Sequence, residues 1–203
     1  MKTFLHVGCG GTNKSHLKGF NNDNWNEIRF DINKDKKPDI VGTLTDMNSV
    51  PTGSVDAVFS AHNIEHIYPH EVPIALKEFH RVLKEDGMVV LTCPDLESVC
   101  EAILQDGLLK PLYVSPSGPI SPIDTLYGHR GQIAQGNEYM AHKGGFTYPV
   151  LNGAFHDAGF KVRIGGRRPT DYELWLVAFK QKKPEEEIHK IALQFIPEAK
   201  LAS

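Results

Sequence analysis

Residues 54–92, SVDAVFSAHNIEHIYPHEVPIALKEFHRVLKEDGMVVLT, contain the pattern that decides the fold class. Ser54–Phe59 and Met88–Thr92 are short apolar runs of the kind that form buried strands. Between them, apolar residues recur at helical spacing and predict a helix over 72–83. A strand, a helix and a second strand in this order predict a parallel sheet with right-handed crossovers.

The same alternation continues on both sides of this stretch. Further strands are predicted at Thr3–Val7, Glu27–Asp31, Asp39–Val41, Phe160–Ile164 and Trp175–Phe179, and further helices at about 96–104 and 148–158. The last two strands can pair as a hairpin-like edge. The predicted fold is therefore α/β: a Rossmann-like, doubly wound, mostly parallel seven-stranded sheet flanked by helices.

Two segments stand outside this alternation. Residues 107–145 lack a sustained period and contain four prolines between Pro111 and Pro122. A segment of this length inside a compact domain is usually functional or disordered, and its aromatic and histidine side chains favour a folded lid inserted after the fifth strand. Beyond Pro184, apolar residues at helical spacing predict an amphipathic helix in the tail 184–203, which packs on the body or on a second copy. A homodimer is left open.

Composition limits the partners. The net charge is −3 and no block of Lys and Arg is dense, which predicts neither nucleic acid nor a membrane surface as partner and favours small substrates. Three cysteines without metal-type spacing predict a reducing compartment, and a cytoplasmic location is expected. No run of residues approaches the roughly 20 apolar positions of a membrane span.

The glycine cluster HVGCGGTN at residues 6–13 follows the first predicted strand. A dinucleotide fingerprint needs a third glycine where this chain has Asn13, and only a short helix can follow, which weakens a pyrophosphate site. Asp31 lies 21 positions after Gly10 at the end of the second strand, where a carboxylate can accept both ribose hydroxyls of an adenosine. Asp46 can accept from an adenine amino group while Met47 covers the ring. These parts predict a cofactor that contains adenosine but no phosphate.

The series LHVGCGG, RFDIN, TLTDM and the stretch 54–92 resembles the class I S-adenosylmethionine-dependent methyltransferases, most of all a branch of small members considered in connection with cell-surface sugar biosynthesis. The resemblance is strong over about residues 3–100 and weaker to about 164. It implies a methyltransferase domain over 1–183 that uses S-adenosylmethionine to methylate a small-molecule or sugar-type acceptor. The chain departs from the family pattern at His6, where many members have an acidic residue, and at Thr12, where they have a third glycine.

The resemblance also assigns roles to individual residues. The cofactor-binding residues it implies are Gly8, Cys9 and Gly10 on the methionine and ribose side, Asp31 with Ile32 at the ribose and adenine edge, Asp46 with Met47 at the adenine, and Ala61 with His62 beside the methionine. Apart from the resemblance, the lid itself contains the expected substrate contacts, Tyr127, His129 and His142.

His66 is the predicted general base, because it follows the fourth strand, whose carboxyl end faces the ligand crevice of an open α/β sheet. A structural role for His66 or for His142 fits the sequence equally well. His62, His66 and His70 are spaced by four residues, but Pro69 disfavours a helix through all three, so no metal is predicted. An NAD-type oxidoreductase and a non-catalytic cofactor-binding or assembly protein stay open as alternatives.

Overall fold

The computed structural model describes residues 1–196 and contains one large sheet and one small hairpin. The strands are β1 (Lys2–Val7), β2 (Trp25–Asp31), β3 (Ile40–Val41), β4 (Val55–Ala61), β5 (Leu83–Pro94), β6 (Tyr113–Ser115), β7 (Gly118–Ile120), β8 (Val162–Arg168) and β9 (Glu173–Phe179). The large sheet has the order β3-β2-β1-β4-β5-β9-β8. β1 to β5 are parallel, and β9 runs antiparallel to both β5 and β8. The predicted seven-stranded, mostly parallel sheet and its antiparallel edge are confirmed.

Helices occupy the connections of this sheet. They are α1 (Val72–Val82), α2 (Leu96–Asp106), α3 (Pro122–Tyr127), α4 (Arg130–Ala134), α5 (Tyr148–Asp157) and α6 (Glu185–Phe195). α6 lies in the segment where the tail helix was predicted, while residues 197–203 of that tail lie outside the described residues. None of the helices in the described part of the chain is long and apolar enough to cross a membrane.

The two faces of the sheet carry separate apolar layers because strand side chains alternate between faces. On β1, Leu5 packs with α1 and α5, whereas Phe4 packs on the opposite face with α6. The predicted helix over 72–83 is confirmed, with Pro73 in its first turn and its apolar stripe fully inside. It ends at Val82 because β5 begins at Leu83, five residues earlier than predicted.

The crossover from β1 to β2 contains only a short 3-10 turn, Lys14–His16. The sheet face above it is covered by α6 instead. The ring of Phe195 lies 4.7 Å from that of Phe20, and a side chain at Gly19 would collide with Phe195. The chain's last described helix therefore fills the place that a first crossover helix would otherwise take.

The segment 107–145 joins α2 to α5 and folds into short pieces, namely the β6–β7 hairpin, α3, α4 and a 3-10 turn at Glu138–Met140. Asp124 holds α3 and α4 together, since its carboxylate accepts from the backbone of Ser121 and from the guanidinium of Arg130. The end of the segment is tied to the loop after β4, because the backbone amides of Lys143 and Gly144 donate to the Glu65 carbonyl. This tie brings the insertion over the carboxyl edge of the sheet.

Candidate active site

A cavity of about 670 Å³ lies at the carboxyl ends of β1, β2 and β4. In open α/β sheets this edge is where ligands bind, because the order of the strands reverses there. Its sheet-side wall includes Gly8, Gly10, Asp31, Ile32, His62 and His66, and Ile133, residues 137–141 and Lys143 of the insertion contribute the opposite wall. We call this cavity the cleft.

The turn after β1 has two glycines with left-handed backbones, Gly8 at φ 67° and Gly10 at φ 51°. Other residues adopt this conformation only at a cost. A Cβ on Gly8 would lie 2.3 Å from the side-chain nitrogen of Asn63, whereas a Cβ on Gly10 would meet nothing within 4 Å. Gly8 therefore permits a close approach between two loops, and Gly10 leaves open space in the cleft.

Asp31 ties the end of β2 to this turn. One carboxylate oxygen accepts from the Gly10 amide at 2.7 Å and the other from the Asn33 amide at 2.8 Å. A carboxylate has about four acceptor positions, so two are still available to a ligand in the cleft. Ile32, the next residue, is about half exposed and adds an apolar surface beside the carboxylate.

Asp46 and Met47 are not among the residues that line the cleft, so the structure does not place Met47 where it could cover an adenine bound there. Met47 is fully buried in the core, and its amide donates to the Glu78 carboxylate at 2.9 Å. A tight turn through residues 43–46 directs the chain inward before Asp46 is reached, so residues 43–45 line the cleft instead. The sequence could have indicated residues 43–45 through the predicted end of β3, since ligands approach the residues that directly follow a parallel strand.

Two other predicted cofactor residues are displaced from the cleft. The Cys9 side chain is buried beneath the glycine turn, and this burial raises the pKa of its thiol to about 11. Ala61 is the last residue of β4 and packs against the apolar layer on the α6 face. Neither residue is among those that line the cleft.

His6, in the strand before the glycine turn, has a structural role. The imidazole is 3% exposed, and its Nδ1 lies 2.7 Å from a carboxylate oxygen of Glu27, whose other oxygen accepts from the Lys14 amide. Burial lowers the pKa of His6, and the Glu27 carboxylate only partly opposes this effect. The side chain is thus used to join β1, β2 and the turn, and it does not line the cleft.

His62 lies at the cleft wall with a left-handed backbone, φ 48°, which is unusual for a residue with a side chain. Its Nε2 is 2.9 Å from Glu173, and its Nδ1 is 3.6 Å from Glu65. Burial lowers its pKa, but the two carboxylates outweigh burial and raise the pKa of His62 above its ordinary value. The two carboxylates on either side of the ring therefore favour the protonated form of His62.

His66 also lies on the cleft wall, in a 3-10 turn that follows β4. Its Nδ1 donates to the Ala141 carbonyl at 3.1 Å, and its ring meets that of His142 edge to face at 4.8 Å. The structure does not bring the third histidine of the four-residue series to this place, because His70 is exposed and stacks on Tyr68.

Of the three predicted lid contacts, none lines the cleft. Tyr127 is 65% exposed, and His129 caps α4 by accepting from the Gln132 amide. His142 donates from Nδ1 to the Thr125 carbonyl at 2.7 Å and packs behind His66. The insertion residues that do line the cleft are Ile133, residues 137–141 and Lys143, which include Tyr139 and Met140.

Comparisons with known proteins agree with this geometry. A family model described as a methyltransferase domain matches residues 5–91. No match was found among curated protein sequences.

The fold is similar to that of several solved structures. A protein of Pyrococcus horikoshii OT3 is 15% identical over 89% of this chain and 82% of its own, with a TM-score of 0.60. An S-adenosylmethionine-dependent methyltransferase of Methanosarcina mazei is 17% identical over 90% and 93% of the two chains, with a TM-score of 0.56. The 1,6-didemethyltoxoflavin-N1-methyltransferase of Burkholderia thailandensis, solved with S-adenosylhomocysteine and 1,6-didemethyltoxoflavin, is 14% identical over 89% and 72%, with a TM-score of 0.54.

Proposed function

We propose that the chain is a class I S-adenosylmethionine-dependent methyltransferase that methylates a small-molecule or sugar-type acceptor bound in the cleft, and its match to a methyltransferase domain over residues 5–91 supports this. The observation that carries this proposal is the construction of the cleft. The carboxyl edge of the parallel strands forms one wall and the insertion forms the other. Its volume of about 670 Å³ falls within the range of about 300–1,000 Å³ typical of small-molecule sites.

The residues of the sheet-side wall fit an adenosine. Gly10 leaves space at the turn, Asp31 has free acceptor positions for ribose hydroxyls, and Ile32 and Leu44 offer apolar surface for a purine ring. We infer that these residues, with Gly8, hold the cofactor. S-adenosylmethionine supplies a methyl group on a sulfonium, which is already activated for transfer. The protein's main task is therefore to orient the acceptor and exclude water.

The insertion is the proposed acceptor side and lid. Lys36 and Lys143 line the cleft together with Asp31, Glu71 and Glu138, so charges of both signs surround it. This balance favours a small acceptor of mixed polarity. The Burkholderia neighbour, which is named for a small-molecule substrate, supports the same class of acceptor.

The NAD-type alternative is disfavoured by the crossover that follows the glycine turn. A pyrophosphate is normally held at the N-terminus of a helix in this position. Here the described chain has only the three-residue turn Lys14–His16 between β1 and β2.

Parallel calorimetric titrations of the purified chain with S-adenosylmethionine, S-adenosylhomocysteine and NAD test the proposal. We expect binding of the first two and none of NAD. Gly10→Ala should weaken the binding of S-adenosylmethionine, because Gly10 lines the cleft. Gly53→Ala is the control: Gly53 also has a left-handed backbone with no neighbour near a Cβ, but it does not line the cleft, so its replacement should leave the affinity unchanged. Preferential binding of NAD would reject the proposal. Cofactor binding without turnover across a panel of sugars and small acceptors would favour the non-catalytic alternative.

A further inference from the structure

We propose that Glu65, His66 and His142 form a binding site for a divalent transition metal ion, of which zinc is the best match, at the cleft wall. The site joins the loop after β4 to the end of the insertion. It differs from the series His62, His66 and His70 considered from the sequence, since His66 is the only residue that the two sets share.

The three side chains converge. Each offers one donor atom, and the three donors lie within 4.8 Å of one another. An ion at the centre of a triangle with sides of this length would be at most about 2.8 Å from each donor, whereas zinc bonds to nitrogen and oxygen are about 2.0–2.2 Å. A movement of about 0.7 Å by each side chain would close the site, which small changes in side-chain torsion can supply.

Hydrogen bonds to backbone carbonyls determine which nitrogen of each histidine is free to bind a metal. A carbonyl oxygen only accepts hydrogen bonds, so Nδ1 of His66 carries the hydrogen that it donates to Ala141, and Nδ1 of His142 carries the one that it donates to Thr125. The nitrogen with the lone pair is therefore Nε2 in each neutral ring. A backbone carbonyl behind the second ring nitrogen is the usual support of a metal-binding histidine.

Glu65 supplies an independent observation. Its side chain is 1% exposed, and neither carboxylate oxygen has a hydrogen-bond partner among the described residues. The nearest cationic group is His62, whose Nδ1 is 3.6 Å away and whose Nε2 is paired with Glu173. Glu65 thus has an imidazole 3.6 Å away but no hydrogen bond, and a buried carboxylate without hydrogen bonds is costly, so a bound cation would supply the missing contact.

The site has a position open to a ligand. Two histidines and one glutamate are a ligand set of catalytic zinc sites, which leave the fourth position to water or substrate. Of the three side chains only His66 lines the cleft, and Glu65 is buried, so we place the fourth position on the cleft side of the site. An acceptor hydroxyl could be oriented there, and this role, unlike the site itself, rests on the proposed function. Ligation would occupy Nε2 of His66, so it replaces the general-base role predicted from the sequence.

The test begins with the full chain, treated with a chelator, dialysed and titrated calorimetrically with zinc chloride alone, followed by cobalt(II) and its visible spectrum. We expect one equivalent of zinc and a spectrum typical of low-coordinate cobalt. Glu65→Gln, His66→Asn and His142→Asn should each lower zinc affinity about 100-fold or more. His70→Asn is the matched control and should leave affinity unchanged, since His70 is exposed and outside the cluster.

Circular dichroism of each variant separates loss of the site from loss of the fold, and His142→Asn, at a half-buried position, serves if Glu65→Gln does not fold. Absence of stoichiometric zinc, or an equal loss in His70→Asn, would overturn the inference. A chain that binds S-adenosylmethionine but no zinc would refute the metal site and leave the proposed function standing. A chain that binds zinc but no S-adenosylmethionine would refute the proposed function and leave the metal site standing.

Discussion

Replacing Gly8 by alanine tests the close approach on which the cleft is built. The added Cβ would lie 2.3 Å from Nδ2 and 2.4 Å from Cγ of Asn63. Because Cγ is attached directly to the Cβ of Asn63, rotation at the end of the side chain cannot relieve the contact. The whole Asn63 side chain has to move, and it is one that lines the cleft.

The cost has two parts. A left-handed backbone at a residue with a Cβ costs roughly 1–2 kcal/mol, and a side chain forced from its rotamer costs about 0.5–1.5 kcal/mol more. Gly53→Ala is the control for the first part, because Gly53 has a similar φ of 63° and no neighbour within 4 Å of a Cβ. We therefore expect Gly8→Ala to lower the free energy of unfolding by about 1.5–3.5 kcal/mol and Gly53→Ala by about 1–2 kcal/mol.

Urea denaturation measures both variants, together with Asn63→Ala and the double variant Gly8→Ala/Asn63→Ala. Removing the Asn63 side chain should recover the excess loss, so the two substitutions should be non-additive. Calorimetry should show S-adenosylmethionine affinity reduced at least about tenfold, or 1.4 kcal/mol, in Gly8→Ala and unchanged in Gly53→Ala. Equal losses of stability in Gly8→Ala and Gly53→Ala, with additive effects in the double variant, would refute the close approach of the two loops.

Three further predictions follow from the same contacts. Asp31→Ala should weaken S-adenosylmethionine binding by about 1.5–3 kcal/mol, since it removes a charged acceptor. Asp39→Ala is the control, because it removes a comparable carboxylate bond to a backbone amide outside the cleft and should leave the affinity unchanged. Equal affinities of the two variants for S-adenosylmethionine would make Asp31 structural. Hydrogen exchange of residues 107–145 should slow when S-adenosylhomocysteine and an acceptor are bound, and protection equal to that of β4 in the free protein would argue against a lid. Burial raises the pKa of Asp124, but its bonds from Arg130 outweigh this and hold it below the ordinary value. The ion pair therefore stabilises the insertion above about pH 4, and this stabilisation is lost on acidification. Hydrogen exchange of the insertion should become faster at low pH in the unmodified chain, after correction for the intrinsic exchange rate, and Asp124→Asn should remove this effect. The same pH dependence in Asp124→Asn would show that the ion pair contributes nothing.

Much of the fold is determined by local sequence. The apolar runs and the helical period of 54–92 predicted two strands and the helix between them, because buried strands and amphipathic helices need these patterns wherever they lie in the domain. The glycines of the turn and Asp31 could be placed for a related reason. The carboxyl ends of parallel strands meet at one edge, so residues that end a strand are placed by the strand itself.

The tertiary structure decided what local pattern does not encode. Met47 is in the core, after a tight turn, and Tyr127, at the end of α3 in the insertion, is exposed and does not line the cleft. Glu65 and His142 are far apart in the chain, and only the packing of the insertion on the loop after β4 brings them together. Irregular segments have no period that fixes which side chains face inward. Their contacts depend on distant residues, so a sequence can name the side chains with the right chemistry but cannot show which of them meet.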